Sequence, residues 1–166
     1  MNILAIDLGY FMAVTLIQNG KVYKPKELDM RGKLGLDLLI PTKQWIEEIL
    51  SKHEIDEIIV EQPYIRDDCK MAFEDGQLGV MALYGLIALI CAEHQIKFTS
   101  MLAHEVTWNL LKVRYIGREV KKRLTIEAIK LLHSNWTDLS QHQIDSLSIA
   151  HTALLRNVEG YHSLKW

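Results

Sequence analysis

The chain has 166 residues, 49% of them hydrophobic and 24% charged, and a net charge of −2. Its length suits a single domain over 1–166 with a real core, and its composition excludes a disordered chain and a globally basic one. A basic patch on a near-neutral protein stays open.

Cys69 and Cys91 are too few and too isolated for a disulfide framework and lack zinc-site spacing, which predicts a reducing, cytoplasmic compartment. The opening residues do not read as a signal peptide. The longest uncharged run, Gln77 to Ala92, falls short of the roughly 20 residues that span a bilayer, so no membrane partner is expected.

The first predicted element is Asn2 to Gly9, an apolar run holding one carboxylate, Asp7. An apolar run bounded by Gly reads as a strand buried on both faces. A carboxylate inside it must bond to backbone amides at the strand end or serve a site. Phe11 to Gln18 is rich in apolar and β-branched residues, Asn19-Gly20 is a hairpin turn, and Lys21-Val22-Tyr23 opens a third strand. Residues 25–35 are polar and glycine-containing and predict a connecting loop. A helix is expected from Pro41, placed in its first turn, with Trp45, Ile46, Ile49 and Leu50 as its apolar stripe.

Ile55 to Glu61 predicts a strand ending in a second carboxylate, followed by the polar loop Tyr64 to Lys70. Met71 to Glu93 is apolar around nearly its whole circumference, which predicts a helix covered on all sides by its own domain or by a second subunit. Ile96 to Ser100 is the last strand, and helices follow over Ala103–Lys112, Arg118–His133 and Gln141–Arg156. The order βββαβαβα predicts an α/β fold, a mixed five-stranded sheet flanked by helices.

A third acidic position, Asp145, lies three residues after His142 on one face of the last helix. If Asp7, Glu61 and Asp145 converge, repulsion sets the chemistry: two like charges at ~4 Å cost about 4 kcal/mol at an effective dielectric of 20. Such a cluster holds protons or cations. Oxygen-rich sites select Mg²⁺ or Mn²⁺, and two ions per site are a device for in-line attack on a phosphodiester.

Ile6-Asp7-Leu8-Gly9, Val60-Glu61-Gln62-Pro63-Tyr64 and His142-Gln143-Ile144-Asp145-Ser146-Leu147-Ser148-Ile149-Ala150 resemble, in order and spacing, the three motifs of RuvC-type Holliday-junction resolvases. The resemblance runs from about residue 3 to residue 152 and fits a viral or phage member as well as a cellular one. It implies a ribonuclease H-like fold and a homodimeric, metal-dependent endonuclease that resolves four-way DNA junctions by paired nicks. The dimer contact is then expected through helix 71–93, and the location in a bacterial cytoplasm or a phage-infected host cell.

By the same resemblance Asp7, Glu61, His142 and Asp145 are metal ligands, with Mg²⁺ as the ion and Mn²⁺ accepted. Lys121 falls on or beside a catalytic-side lysine, and Tyr64 on an aromatic used near the crossover point. Leu8 stands where proline is usual. His142 stands where many resolvases carry an acid and others a histidine. A second family lysine maps to Thr107, so one basic contact is missing.

Plainer readings stand beside these. Asp7 and Glu61 could cap strand ends, and His142 could be a hydrogen-bonded structural histidine. Asp138 could supply a ligand or cap the helix before Gln141. The cluster Lys112, Arg114, Arg118, Lys121, Lys122 and Arg123 reads as a phosphate-binding patch or a solvated face. Tyr64 could stack on a base or pack on the sheet edge. Three functions compete with junction cleavage: an RNA- or hybrid-cleaving nuclease of the same fold, a non-catalytic junction-binding protein, and an actin-like phosphotransferase suggested by Ile-Asp-Leu-Gly. The chain is too short for the two domains that the last needs.

Overall fold

The structure, a computed structural model, describes residues 1–63, 75–113 and 117–158. The expected loop Tyr64–Lys70 with Cys69, the start of the expected helix at Met71 and Arg114 lie outside the described residues.

The elements are β1 (Ile3–Asp7), β2 (Phe11–Gln18), β3 (Lys21–Val22), β4 (Lys26–Asp29), α1 (Leu36–Lys52), β5 (Glu57–Glu61), α2 (Asp75–Glu93), β6 (Lys97–Met101), α3 (Ala103–Leu111), α4 (Arg118–Leu132) and α5 (Gln141–Val158). The sheet runs β3-β2-β1-β5-β6, with β4 also on β2. β1 and β2 form an antiparallel hairpin, whereas β1, β5 and β6 are parallel. This is the mixed α/β sheet that the element order predicts.

One segment differs. Residues 26–29 are a strand rather than part of a loop: Lys26 to Asp29 pair with Val14 to Phe11, while β3 pairs with Ile17 and Gln18 farther along the same edge. The sheet therefore has six strands but is five positions wide. β4 hides from pattern reading because it is an edge strand with mostly exposed side chains, so no alternation of apolar residues marks it. Asn19 and Gly20 both take positive φ (53° and 76°), which fits the two-residue turn closing β2 onto β3.

α1 starts at Leu36, so Pro41 lies inside the helix and not in its first turn. Proline leaves the Asp37 carbonyl without its helical donor. One turn on, the Thr42 hydroxyl donates to the Leu38 carbonyl at 2.8 Å. The burial of Leu38, Thr42 and Ile46 repays the break.

Strand alternation divides the core. Leu4, Ile6, Met12, Val14, Ile58 and Val60 face α1 and α2, packing on Leu38, Ile46, Leu83, Ile87 and Ile90. Ile3, Ala5, Ile17 and Ile59 face the other way, against Val106, Ile149, Ala150 and Ala153 of α3 and α5. α4 packs outside these, its Ile129 against Ile144 and Leu147 of α5. It is tied to α5 by the His133 Nε2–His151 Nε2 hydrogen bond of 2.7 Å, with Trp136 stacked on His133.

α2 is covered by its own chain on one face only. Leu83, Ile87, Ile90 and Cys91 are buried, whereas Leu78, Ala82, Gly85, Leu89 and Ala92 are exposed. At Gly79 a Cβ would sit 2.6 Å from the Tyr10 hydroxyl, so glycine is what lets α2 approach the β1–β2 turn. Among the described residues no helix is long and apolar enough to cross a membrane.

Candidate active site

Parity puts Asp7 and Glu61 on the α5 face, at the carboxyl ends of two adjacent parallel strands whose register pairs Ile6 with Val60. Strand carboxyl ends are where open α/β sheets present functional groups. α5 crosses this face and brings His142 and Asp145 on its first two turns. It is anchored by a buried hydrogen bond between the Thr15 and Ser146 hydroxyls, 2.8 Å, next in sequence to Asp145.

The entry to α5 is a reciprocal cap. Gln143 N–H donates to Ser140 Oγ at 3.1 Å, and Ser140 N–H donates to Gln143 Oε1 at 3.0 Å. Ser140, not Asp138, fills the capping role. Asp138 takes φ 61° in the preceding turn. The Ser-x-x-Gln spacing was the available sequence signal.

His142 Nδ1 lies 2.9 Å from Asp7 Oδ2. An ionised carboxylate only accepts, so Nδ1 donates and Nε2 is left as the ligating nitrogen. Gln141 Nε2 donates to Asp145 Oδ1 at 2.9 Å.

Burial dominates the electrostatics of the acids, and like charges add to it. Burial pushes Glu61 up to about 7, helped by the charges of Asp7 and Asp145 and opposed by Lys121. Burial and then Asp7 push Asp145 up to about 6, against Gln141, His142 and Lys122. Asp7 is also raised, first by burial, with His142 opposing. The Asp7 hydrogen bond in turn raises His142. Glu27 on β4 adds negative potential at both Asp7 and His142, a contribution hidden by the loop expectation for 25–35.

Lys121 is half-buried. Its Nζ is 3.4 Å from the Ala103 carbonyl, just past the end of β6, where Met101 pairs with Glu61. Lys112, Arg118, Lys122 and Arg123 are exposed. Thr107 is buried, its hydroxyl donating to the Ala103 carbonyl at 2.9 Å, so it offers no surface contact. Tyr64 and Arg114 lie outside the described residues.

The donor set, three carboxylates and an imidazole around negative charge that Lys121, Lys122 and His142 offset only in part, fits a hard divalent cation. It is not a ready-made cage. Among the described residues no three His, Cys, Asp or Glu side chains are grouped closely enough to hold a metal as they stand. Three of the four donors carry a hydrogen bond within the protein, Asp7 and His142 to each other and Asp145 to Gln141.

Two solved structures of Thermus thermophilus RuvC match over 96% of this chain and 97% of theirs. One, with TM-score 0.74, is 15% identical, and the other, in complex with Holliday junction substrate, has TM-score 0.76 and is 12% identical. This chain has the RuvC fold. The yeast mitochondrial Holliday junction resolvase Ydc2 matches at TM-score 0.58 and 17% identity, over 95% of this chain and 81% of its own. No protein-family model and no curated protein sequence matches. Two proteins of RuvC-like fold named here are thus junction resolvases or carry junction substrate, and the sheet order and helices described above are those of that fold.

Proposed function

We propose that the chain is a single-domain, metal-dependent endonuclease that cuts branched DNA, four-way junctions foremost, in recombination and repair in the cytoplasm of a bacterium or a phage-infected host. The observation that carries this reading is that the ends of β1 and β5 and the start of α5 bring Asp7, Glu61 and Asp145 to one face of the sheet, where burial first and like charges second hold their carboxyls above their ordinary range. Such repulsion has no structural use and is what a bound cation would relieve.

Asp7, Glu61, Asp145 and His142 through Nε2 would hold Mg²⁺ or Mn²⁺, two ions per site. The ions would supply activation of water and stabilisation of the leaving oxygen in phosphodiester hydrolysis. Lys121 offsets charge at Glu61 and stands where a backbone phosphate would approach. Lys112, Arg118, Lys122 and Arg123, all exposed, would extend that approach, and Arg114 and Tyr64, outside the described residues, are assigned to DNA contact by the sequence alone. The exposed face of α2 supports a homodimer, whose two-fold would present two sites for paired nicks.

The test is a panel of labelled four-way, three-way, linear-duplex and RNA–DNA hybrid substrates, with Mg²⁺ and without. Symmetric nicking of the four-way junction only with metal is expected. Faster cleavage of the hybrid would make the chain an RNA-directed nuclease of the same fold. Tight junction binding without cleavage in either Mg²⁺ or Mn²⁺ would make it a binding protein.

A further inference from the structure

A chain of contacts leads from strand β4 to the His142 ring. Asp29 pairs across the sheet with Phe11. The Arg31 guanidinium donates to both Asp29 carboxylate oxygens, at 3.1 Å from Nε and 2.8 Å from Nη2. Its Cζ lies 4.2 Å from the Phe11 ring centroid. The Phe11 ring stacks on the His142 imidazole, with centroids 5.5 Å apart and planes within 7°. β4 and the residue before it also grip the cap of α5: Gln143 Nε2 donates to the Pro25 carbonyl at 3.2 Å, and Ser140 Oγ bonds to Glu27 Oε1.

The imidazole needs this help. It sits early in a helix, about two-fifths exposed, and among the described residues its ring makes one hydrogen bond, to Asp7. A single hydrogen bond fixes one ring atom but not the ring plane, and the terminal torsion of histidine is soft. A parallel aromatic face fixes the plane. Arg31 and Asp29 are both well exposed, and an ion pair so placed contributes little to stability. Its geometry instead fits holding Phe11.

We propose that the Arg31–Phe11 stack sets the plane of the His142 imidazole, which makes Phe11 and Arg31 positioning residues of the cation site. The inference rests on the reading of His142 as a cation ligand. Orienting groups around metal-bound histidines are worth about 10–100-fold in metal affinity.

Mn²⁺ binding to the DNA-free full chain, measured by calorimetry, tests it, beside the proton signal of His142 Nδ1–H, assigned by its loss in His142→Ala. Phe11→Leu keeps apolar bulk but has no planar face. It should weaken Mn²⁺ about 10-fold and broaden or abolish the Nδ1 proton, with an unchanged melting temperature. Phe11→Tyr should restore both, and Arg31→Ala should show a smaller loss of each.

If Phe11→Leu binds Mn²⁺ like the wild type and keeps the proton signal, while His142→Ala loses affinity, Phe11 is only a surface aromatic and the inference is wrong. If His142→Ala itself binds Mn²⁺ normally, the ligand reading fails. A proton signal unaffected by Phe11→Leu and Arg31→Ala would then end the positioning role as well.

Discussion

Strand β5 carries two glutamates on the same face, Glu57 at its start and Glu61 at its end, and the chain treats them in opposite ways. Glu57 is buried but partnered by the next strand: Lys97 Nζ is 2.8 Å from its Oε1, and Thr99 Oγ1 donates to that oxygen at 2.5 Å. Glu61 has no such donors among the described residues. It faces Asp7 and Asp145, and burial with that repulsion lifts it to about 7. A buried carboxylate with donors is structure. One given like charges for neighbours, with Lys121 only partly offsetting them, costs stability when it ionises, and that marks a candidate site.

Four predictions bear on this contrast. The largest effect is on catalysis. Asp7→Asn and Asp145→Asn should each lower junction cleavage at least ~100–1000-fold, the scale for removing one preorganised electrostatic group, while retaining DNA binding in a gel-shift assay. Substantial metal-dependent cleavage by either variant would take that residue out of the site.

Next comes stability without metal. Glu61 is raised in the folded state from an ordinary 4.5 to about 7, so between those values the folded chain binds more protons than the unfolded one. Its contribution therefore declines as pH rises from about 4.5 to 7, by on the order of 3 kcal/mol at most. Asp145, raised from 3.8 to about 6, acts in the same direction. The His133–His151 pair opposes them. Burial lowers both, His151 to about 4, so its contribution is full above 6.5 and is lost as pH falls toward 4. Glu61→Gln should thus be more stable than the wild type in urea at pH 8 with chelator, and the gain should vanish near pH 4.5. Glu57→Gln should instead lose about 1–3 kcal/mol, the cost of disturbing a buried partnered group. Equal shifts in the two variants would erase the contrast.

The face of the sheet packed on α1 and α2 marks how far the sequence alone could be read. Its core side chains are apolar, and hydrophobic pattern found β1, β2, β5 and β6 to within a residue or two. The site's four ligand candidates were legible through the resemblance of the three motifs, and two of them, Asp7 and Glu61, also stand out as carboxylates ending apolar strands. What escaped was what pattern does not encode. β4 is an exposed edge strand, and with it went Glu27, Asp29 and Arg31. The Ser-x-x-Gln pattern of Ser140 and Gln143 competes with Asp138 for the cap, and only the structure shows the two reciprocal bonds at Ser140. The long helix reads as apolar on every side, yet among the described residues its own chain covers only one face, and hydropathy does not distinguish the two.

Smaller effects sharpen the electrostatic side. Lys121→Ala with Lys122→Ala should weaken junction binding and reduce the slope of log affinity against log salt by about 1.8, two phosphate contacts at roughly 0.9 each. An unchanged slope would make the cluster a solvated face.

The smallest expected effect concerns metal preference. With an imidazole among its donors the site should reach maximal activity at lower Mn²⁺ than Mg²⁺ concentration, since Mn²⁺ accepts nitrogen more readily. His142→Asp should move the preference toward Mg²⁺. A cation titration of both proteins on one junction reads this directly.

The most direct measurement of the central claim is cleavage of a labelled four-way junction by the wild type and Glu61→Gln across a Mg²⁺ titration, with melting of both followed in parallel. The account predicts metal-dependent paired nicks by the wild type, none by Glu61→Gln, and a melting temperature for the variant equal to or above the wild type's in chelator. Cleavage by Glu61→Gln at the wild-type rate, or wild-type cleavage that persists in chelator, would contradict it.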